Sequence, residues 1–225
     1  MVSIVPTHNE LRTMTETDLR TYYTRDVVRF RKTAEAFGGL SNMAPGFPLH
    51  MLGHRIPTSE ALYQACRFPH MPEVQRMIIG ERSPMTAKMR SKPYRKDSRP
   101  DWEQVRVPVM KWCLRVKLIR NWDSFSQLLL STGSLPIVED SRKDSYWGAV
   151  SREGDALRGE NVLGRLLMAL RQKLQSDPDK LRGVRPLAIP NFNLLDEPIP
   201  FISTDDGDIE DLADVNGGSR QSAMF

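Results

Sequence analysis

Cysteine and histidine are scarce in this chain. Its 225 residues include two cysteines and four histidines. Cys66 and Cys113 fall inside helix-like segments without metal-ligand spacing, and His8, His50, His54 and His70 make no recognisable metal motif. This argues against a disulfide framework and a standard zinc site. The expectation is a reducing, cytoplasmic setting with both thiols buried as packing residues, and no metal or redox cofactor. Long apolar runs are also missing. "LLL" at 128–130 is far too short to span a bilayer, so no membrane association is expected. The opening "MVSIVPTHNELR" lacks a basic flank, a long apolar stretch and a cleavage site, and does not read as a signal peptide. No internal repeat is visible.

What is present suffices for one domain with appendages. Hydrophobic residues make up 40% of the chain, enough to bury a real core. Residues 1–25 are polar and Thr-rich and read as a loosely attached arm. Residues 26–202 form the expected domain. Residues 203–225 hold six acids and one arginine, and are expected to be disordered. The net charge of +4 hides this tail: without it the balance is 31 basic to 22 acidic residues, or +9. Residues 82–120 alone hold 12 Lys/Arg against three acids. Such a stretch attracts phosphates. On charge alone, a solvated helical face with a basic loop is the simpler account.

The patterning predicts a helix-rich α+β domain with very little sheet. "GFPLHMLGHRIPTSE" reads as a small hairpin. A helix follows to about Phe68, with Thr58 as N-cap, and puts Glu60, Gln64 and Arg67 on one face. Further helices are expected over Met71–Gly80, near Pro84 with Lys88 aboard, over Trp102–Asn121 and over Asp123–Leu130. Pro108 predicts a kink or a late start in the third of these. "LPIVEDS" reads as extended. A last helix is expected from Val162 to Gln175, capped by Asn161, with Leu163, Leu166, Leu167, Leu170 and Leu174 as its core stripe.

Several residues admit two readings. Glu60 is favoured in a first helical turn by the dipole, yet Gln64 and Arg67 beneath it extend a polar stripe. Trp147, between Tyr146 and Gly148, is either a core tryptophan beside a turn glycine or an aromatic plate for a ring, with Asp144 binding a polar group nearby. Asn161 is most simply a helix cap, but a helix start flanked by Gly159 and Gly164 also suits a diphosphate. "GENVLG" is not a dinucleotide-binding fingerprint. Lys88 is either a surface lysine or a nucleophile. Its basic sequence neighbours Arg82, Arg90 and Lys92 disfavour the charged amine, as an imine-forming lysine requires.

Taken in order, "FGGLSNMAPGFPL", "PTSEALYQACRF", "TAKMRS", "WEQVRVPVMKWCLRVKL", "LLLSTGSLPIVEDSRKDSYWGA" and "GENVLGRLLMALRQKL" resemble the motifs of the NADAR family, whose name refers to NAD and ADP-ribose. The resemblance spans about Phe37 to Leu174. It implies a small, mostly helical N-glycosidase domain without a cofactor. It also implies catalytic roles for Glu60, Lys88 and Asp144. Substrate contacts are implied for Ser41, Asn42, Gln64, Arg67, Tyr146, Trp147, Gly148, Gly159, Asn161 and Gly164. Arg67 stands where a lysine is common, Ser91 replaces a frequent glycine, Ala149-Val150 follows Trp-Gly where a second glycine is usual, and Pro108 is unexpected.

One branch of the family acts on ribosylated pyrimidine intermediates of riboflavin synthesis. Another removes ADP-ribose from guanine in nucleic acid, in some bacteria as the antidote to a toxin. The resemblance therefore implies ADP-ribosylated DNA or RNA as partner, with a cognate toxin encoded nearby. A lysine amine attacking C1 of the ribose would open the sugar as a Schiff base, and a carboxyl would manage the protons. A pyrimidine ribotide substrate and a non-catalytic ADP-ribose-binding module are the alternatives. The basic 82–120 stretch favours a nucleic-acid substrate.

Overall fold

The computed structural model describes residues 19–152 and 154–206. Strands β1 (Arg20–Tyr23) and β2 (Val28–Phe30) precede the hairpin β3 (Leu49–Met51) and β4 (His54–Ile56). Five helices follow: α1 (Ser59–Ala65), α2 (Pro72–Ile79), α3 (Pro84–Ser91), α4 (Trp102–Arg120) and α5 (Trp122–Leu130). Then come β5 (Ile137–Ser141), β6 (Ala149–Ser151), β7 (Ala156–Gly159) and α6 (Val162–Ser176). Four two-residue strands close the described chain: β8 (Gly183–Val184), β9 (Asn193–Leu194), β10 (Glu197–Pro198) and β11 (Ile202–Ser203).

The class is α+β, with more sheet than the patterning predicts. Five strands form one sheet in the order β1-β7-β6-β5-β2, with β5 parallel to both neighbours and the remaining pairs antiparallel. Strands of three to five residues are too short to show alternation, so their pairing is settled by tertiary contacts. Residues 20–23, assigned to the arm by composition, are strand β1. Tyr22 packs with Val138, Ala149 and Leu157 in a small second core. Residues 1–18 of the arm lie outside the described residues.

The main core lies between the helices and the β2–β5 part of the sheet. Helix α4 is its spine. It begins at Trp102 and continues through Pro108, so the late start is not found. Pro108 and Gln104, whose carbonyl loses its i+4 donor, are both exposed, so water can satisfy that group. On the buried side, the indole N–H of Trp112 donates to the Arg185 carbonyl at 3.1 Å.

Much of the basic 82–120 stretch is structural. Arg99 pairs with Asp101 and reaches the Pro190 carbonyl, and Arg115 donates to the carbonyls of Lys180 and Gly183. Arg120 donates to the carbonyls of Ser203 and Asp206. The first residues of the acidic tail, 203–206, are therefore docked; residues 207–225 lie outside the described residues. Lys117 is 1% exposed. Its ammonium donates to the carbonyls of Gly39 at 2.6 Å and Ser41 at 2.9 Å, and lies 4.6 and 4.4 Å from the ring centroids of Phe47 and Phe125.

No described helix is long and apolar enough to cross a membrane. Among the described residues no group of three His, Cys, Asp or Glu is placed to hold a metal ion.

Candidate active site

A cavity of about 440 Å³ opens where α1, α3 and α4 meet the end of β5 and the turn after it. Glu60, Gln64, Arg67, Lys88, Arg95, Arg106, Glu139, Asp144 and Trp147 all line it.

Helix α1 begins as the sequence predicts, with Thr58 Oγ1 accepting the Ala61 N–H at 3.2 Å. The preceding loop sets its angle: the Asn42 carbonyl accepts the Glu60 N–H at 3.0 Å, and Asn42 Oδ1 accepts the Ser59 hydroxyl at 3.1 Å. The Asn42 amide also points at Met110 Sδ. Lys117 fixes the same loop from below, through Gly39 and Ser41. Ser41 and Asn42 are buried at the cavity wall, so Asn42 acts here chiefly as a brace for the first turn of α1.

Glu60 is buried on that turn. Its Oε1 accepts the Gln64 amide at 3.0 Å, and the Lys88 amine lies 3.7 Å from the same oxygen. Gln64 Oε1 faces the buried Ser91 hydroxyl at 3.4 Å, which ties α3 to α1. Gln64 thus has both ends occupied by protein, and positions Glu60. The sequence neighbours of Lys88 suggest a cationic setting. The charge that faces its amine in the fold is the Glu60 carboxylate, while Arg90 turns away to Glu81 at 2.8 Å.

Three arginines occupy another part of the wall. Arg67 lies over Trp102 at 4.9 Å, and Arg106 over Tyr146 at 3.9 Å. Arg106 pairs with the exposed Glu103 at 3.1 Å; Arg67 and Arg95 have no ion pair among the described residues. Burial, together with the Arg95 and Arg106 charges, pushes the Arg67 guanidinium below its usual range, and its Nε is buried without a hydrogen-bond partner. The Arg67 guanidinium thus keeps an N–H for an added acceptor.

The two pieces expected to cradle a diphosphate do something else. The N–H groups of Glu160, Asn161, Val162 and Leu163 donate to the carbonyls of Ser145, Gly148, Tyr146 and Trp147 at 2.7–3.1 Å. The start of α6 is therefore already occupied by the 145–148 turn and is not open to an anion. Asn161 is fully buried in the left-handed region (φ 51°) and does not cap α6 with its side chain. It accepts the Glu139 N–H at 3.1 Å and donates to the Ile137 carbonyl at 2.8 Å. A Cβ at Gly159 would collide with the Gly148 carbonyl, and one at Gly164 with the Ile137 carbonyl and the Asn161 amide. Gly148, Gly159, Asn161 and Gly164 do not line the cavity; they join α6 and its preceding turn to β5. Tyr146 also stays outside the lining, behind Arg106.

Trp147 does reach the cavity, half-buried, with the edges of Tyr63 and Tyr146 against it at 5.8 and 5.3 Å. Asp144 lies at the exposed rim. Its Oδ1 accepts the N–H groups of Tyr146 and Trp147 at 3.0 and 2.9 Å and shapes their turn. Glu139, Arg95 and Arg106 were not singled out in the sequence. Burial pushes the Glu139 carboxyl up to about 7, with Glu60 and Asp144 adding to the rise and Lys88 opposing it.

The profile of the NADAR domain matches residues 29–175. The chain belongs to the NADAR family. It is 34% identical over 151 residues to the N-glycosidase YbiA of Escherichia coli (strain K12), which covers 66% of this chain and 88% of that one. A riboflavin biosynthesis protein of Vibrio vulnificus (strain YJ016) is 32% identical over 158 residues, 70% of this chain and 41% of that longer protein. The NMR structure of E. coli YbiA superposes with a TM-score of 0.58 at 34% identity, covering 68% of this chain and 88% of its own. The NADAR match takes in the whole cavity lining.

Proposed function

We propose that this NADAR protein is an N-glycosidase that hydrolyses ADP-ribose from guanine bases in nucleic acid. The carrying observation is the division of one cavity between the Lys88–Glu60 pair and the Arg67, Arg95 and Arg106 cluster. The pair suits chemistry at C1 of a ribose. Glu60 can take the proton from the amine, the amine attacks C1, and the opened sugar is held as an imine that water hydrolyses. The three clustered arginines suit a diphosphate, in place of the helix start. Trp147 offers a face for stacking a ring. Exposed Arg82, Lys92 and Lys96 near the α3 rim favour a polynucleotide over a free nucleotide.

A ribosylated pyrimidine phosphate is the second reading, and the riboflavin-synthesis relative favours it. The two separate in one experiment. The protein is incubated with a guanine-ADP-ribosylated oligonucleotide and, in parallel, with the pyrimidine ribotide, and products are read by mass. Release of ADP-ribose with restored guanine is expected. Turnover of the ribotide alone would overturn the guanine reading.

A further inference from the structure

Besides the Lys88–Glu60 pair, the cavity contains a carboxyl that the motif reading passes over. Glu139 sits in the middle of β5, on the strand face shared with Ile137 and Ser141. Its backbone is held from three sides. Phe30 of β2 pairs with it, Asn161 Oδ1 accepts its N–H, and its carbonyl lies where a Cβ on Gly148 would approach to 2.5 Å. Asn161 is itself locked between the Ile137 carbonyl and Gly164. The motif residues that read as ligand contacts are thus a clamp on this strand, and the clamp delivers the Glu139 side chain to the cavity. The carboxyl, unlike its backbone, is unheld: among the described residues it makes no hydrogen bond or ion pair. Partly buried polar groups are normally partnered. This one opens onto the cavity, where an occupant can reach it.

We infer that Glu139 is the general acid of the site, protonating the base nitrogen as the glycosidic bond breaks. The inference rests on the N-glycosidase reading but not on the identity of the base. The lone pair of the Lys88 amine forms a new bond to C1, and the C1–N bond to the base breaks. Its electron pair stays on the base nitrogen, which takes the Glu139 proton and leaves neutral. The C1–O4′ bond then breaks as C1=N forms, and the ring oxygen takes a proton from the lysine nitrogen. The Glu139 carboxylate accepts a proton from the water that hydrolyses the imine, which restores the acid. The groups facing it are Glu60 from α1, Asp144 from the turn after β5 and Lys88 from α3. Burial, reinforced by these two carboxylates against one cation, keeps the proton on Glu139 up to a pH of about 7. The labour divides by environment: Glu60, bonded by Gln64 and beside Lys88, serves the amine, and unpaired Glu139 serves the leaving group.

The test compares wild type, Glu139→Gln and Glu139→Asp in kcat and KM from acid to alkaline pH, on whichever of the two substrates wild type turns over. ADP-ribose binding by calorimetry serves as the control for a folded site. Glu139→Gln should lower kcat by ~10²–10⁴-fold with KM and ADP-ribose binding little changed. Wild-type kcat should fall as pH rises through about 7. The residual rate of the Gln variant should lack that alkaline limb, and Glu139→Asp should restore part of both. A Gln variant that keeps most of the wild-type kcat, or keeps the limb, overturns the assignment. Turnover of the ribotide alone sinks the guanine reading while the Glu139 comparison proceeds on it; turnover of neither substrate overturns both.

Discussion

The Lys88 amine and the Glu60 carboxylate lie 3.7 Å apart although they stand on different helices, and the Ser91–Gln64 contact holds those helices in that relation. Neither side chain has another charged partner as close among the described residues. Glu60→Gln keeps the shape and removes the proton acceptor beside the amine. The melting temperature should stay near that of wild type while turnover falls by ~10²–10⁴-fold. Near-normal turnover would remove Glu60 from the mechanism.

Lys88→Arg tests the covalent step. The guanidinium keeps the positive charge opposite Glu60 but lacks an amine that can form an imine. Borohydride added during turnover should trap a sugar-nucleotide adduct on the peptide that contains Lys88, and the variant should show none while still binding ADP-ribose. Trapping at another lysine would refute the assignment.

Lys117→Met probes the support beneath the loop. The carbonyls of Gly39 and Ser41 would lose their buried donor, at about 1–3 kcal/mol each, offset in part because no ammonium need then be desolvated. Burial pushes Lys117 down to about 7 in the folded protein, whereas an unfolded lysine titrates near ~10.4. Between those values the unfolded chain binds more protons, so wild-type stability should rise with pH across that window. Denaturant midpoints measured across it should show the rise in wild type and not in the variant. An identical pH dependence in both would show that Lys117 does not titrate there.

Truncation separates the docked start of the tail from the remainder. Ending the chain at Ile202 removes the Ser203 and Asp206 acceptors from Arg120, whose side chain is 10% exposed. That protein should melt at a lower temperature than one ending at Asp206. Equal melting temperatures would show that these contacts contribute nothing.

The helices were legible in the sequence because each carries local signals. Thr58 caps α1, Pro72 and Pro84 open α2 and α3, and the leucines of α6 repeat at helical spacing. The sheet was not, because β2 and β5 pair across more than a hundred residues and neither is long enough to show a period. Glu60, Lys88 and Trp147 were found and do converge on the cavity. Glu139 escaped notice inside a short strand, since its role depends on Glu60 and Asp144 arriving from elsewhere in the chain. Asn161 and its glycines were picked out for the right pattern and the wrong reason. Backbone crowding and a left-handed turn leave the same compositional trace as a phosphate loop.

The turn at 145–148 is bonded to residues 160–163 along their backbones, while the arginines that face the cavity come from the turn after α1, the segment after α3, and α4. The turn that frames β5 and the arginines that face the cavity are therefore carried by separate stretches of polypeptide. Two chains identical through 144–164 could thus inherit the same frame and cleave different molecules.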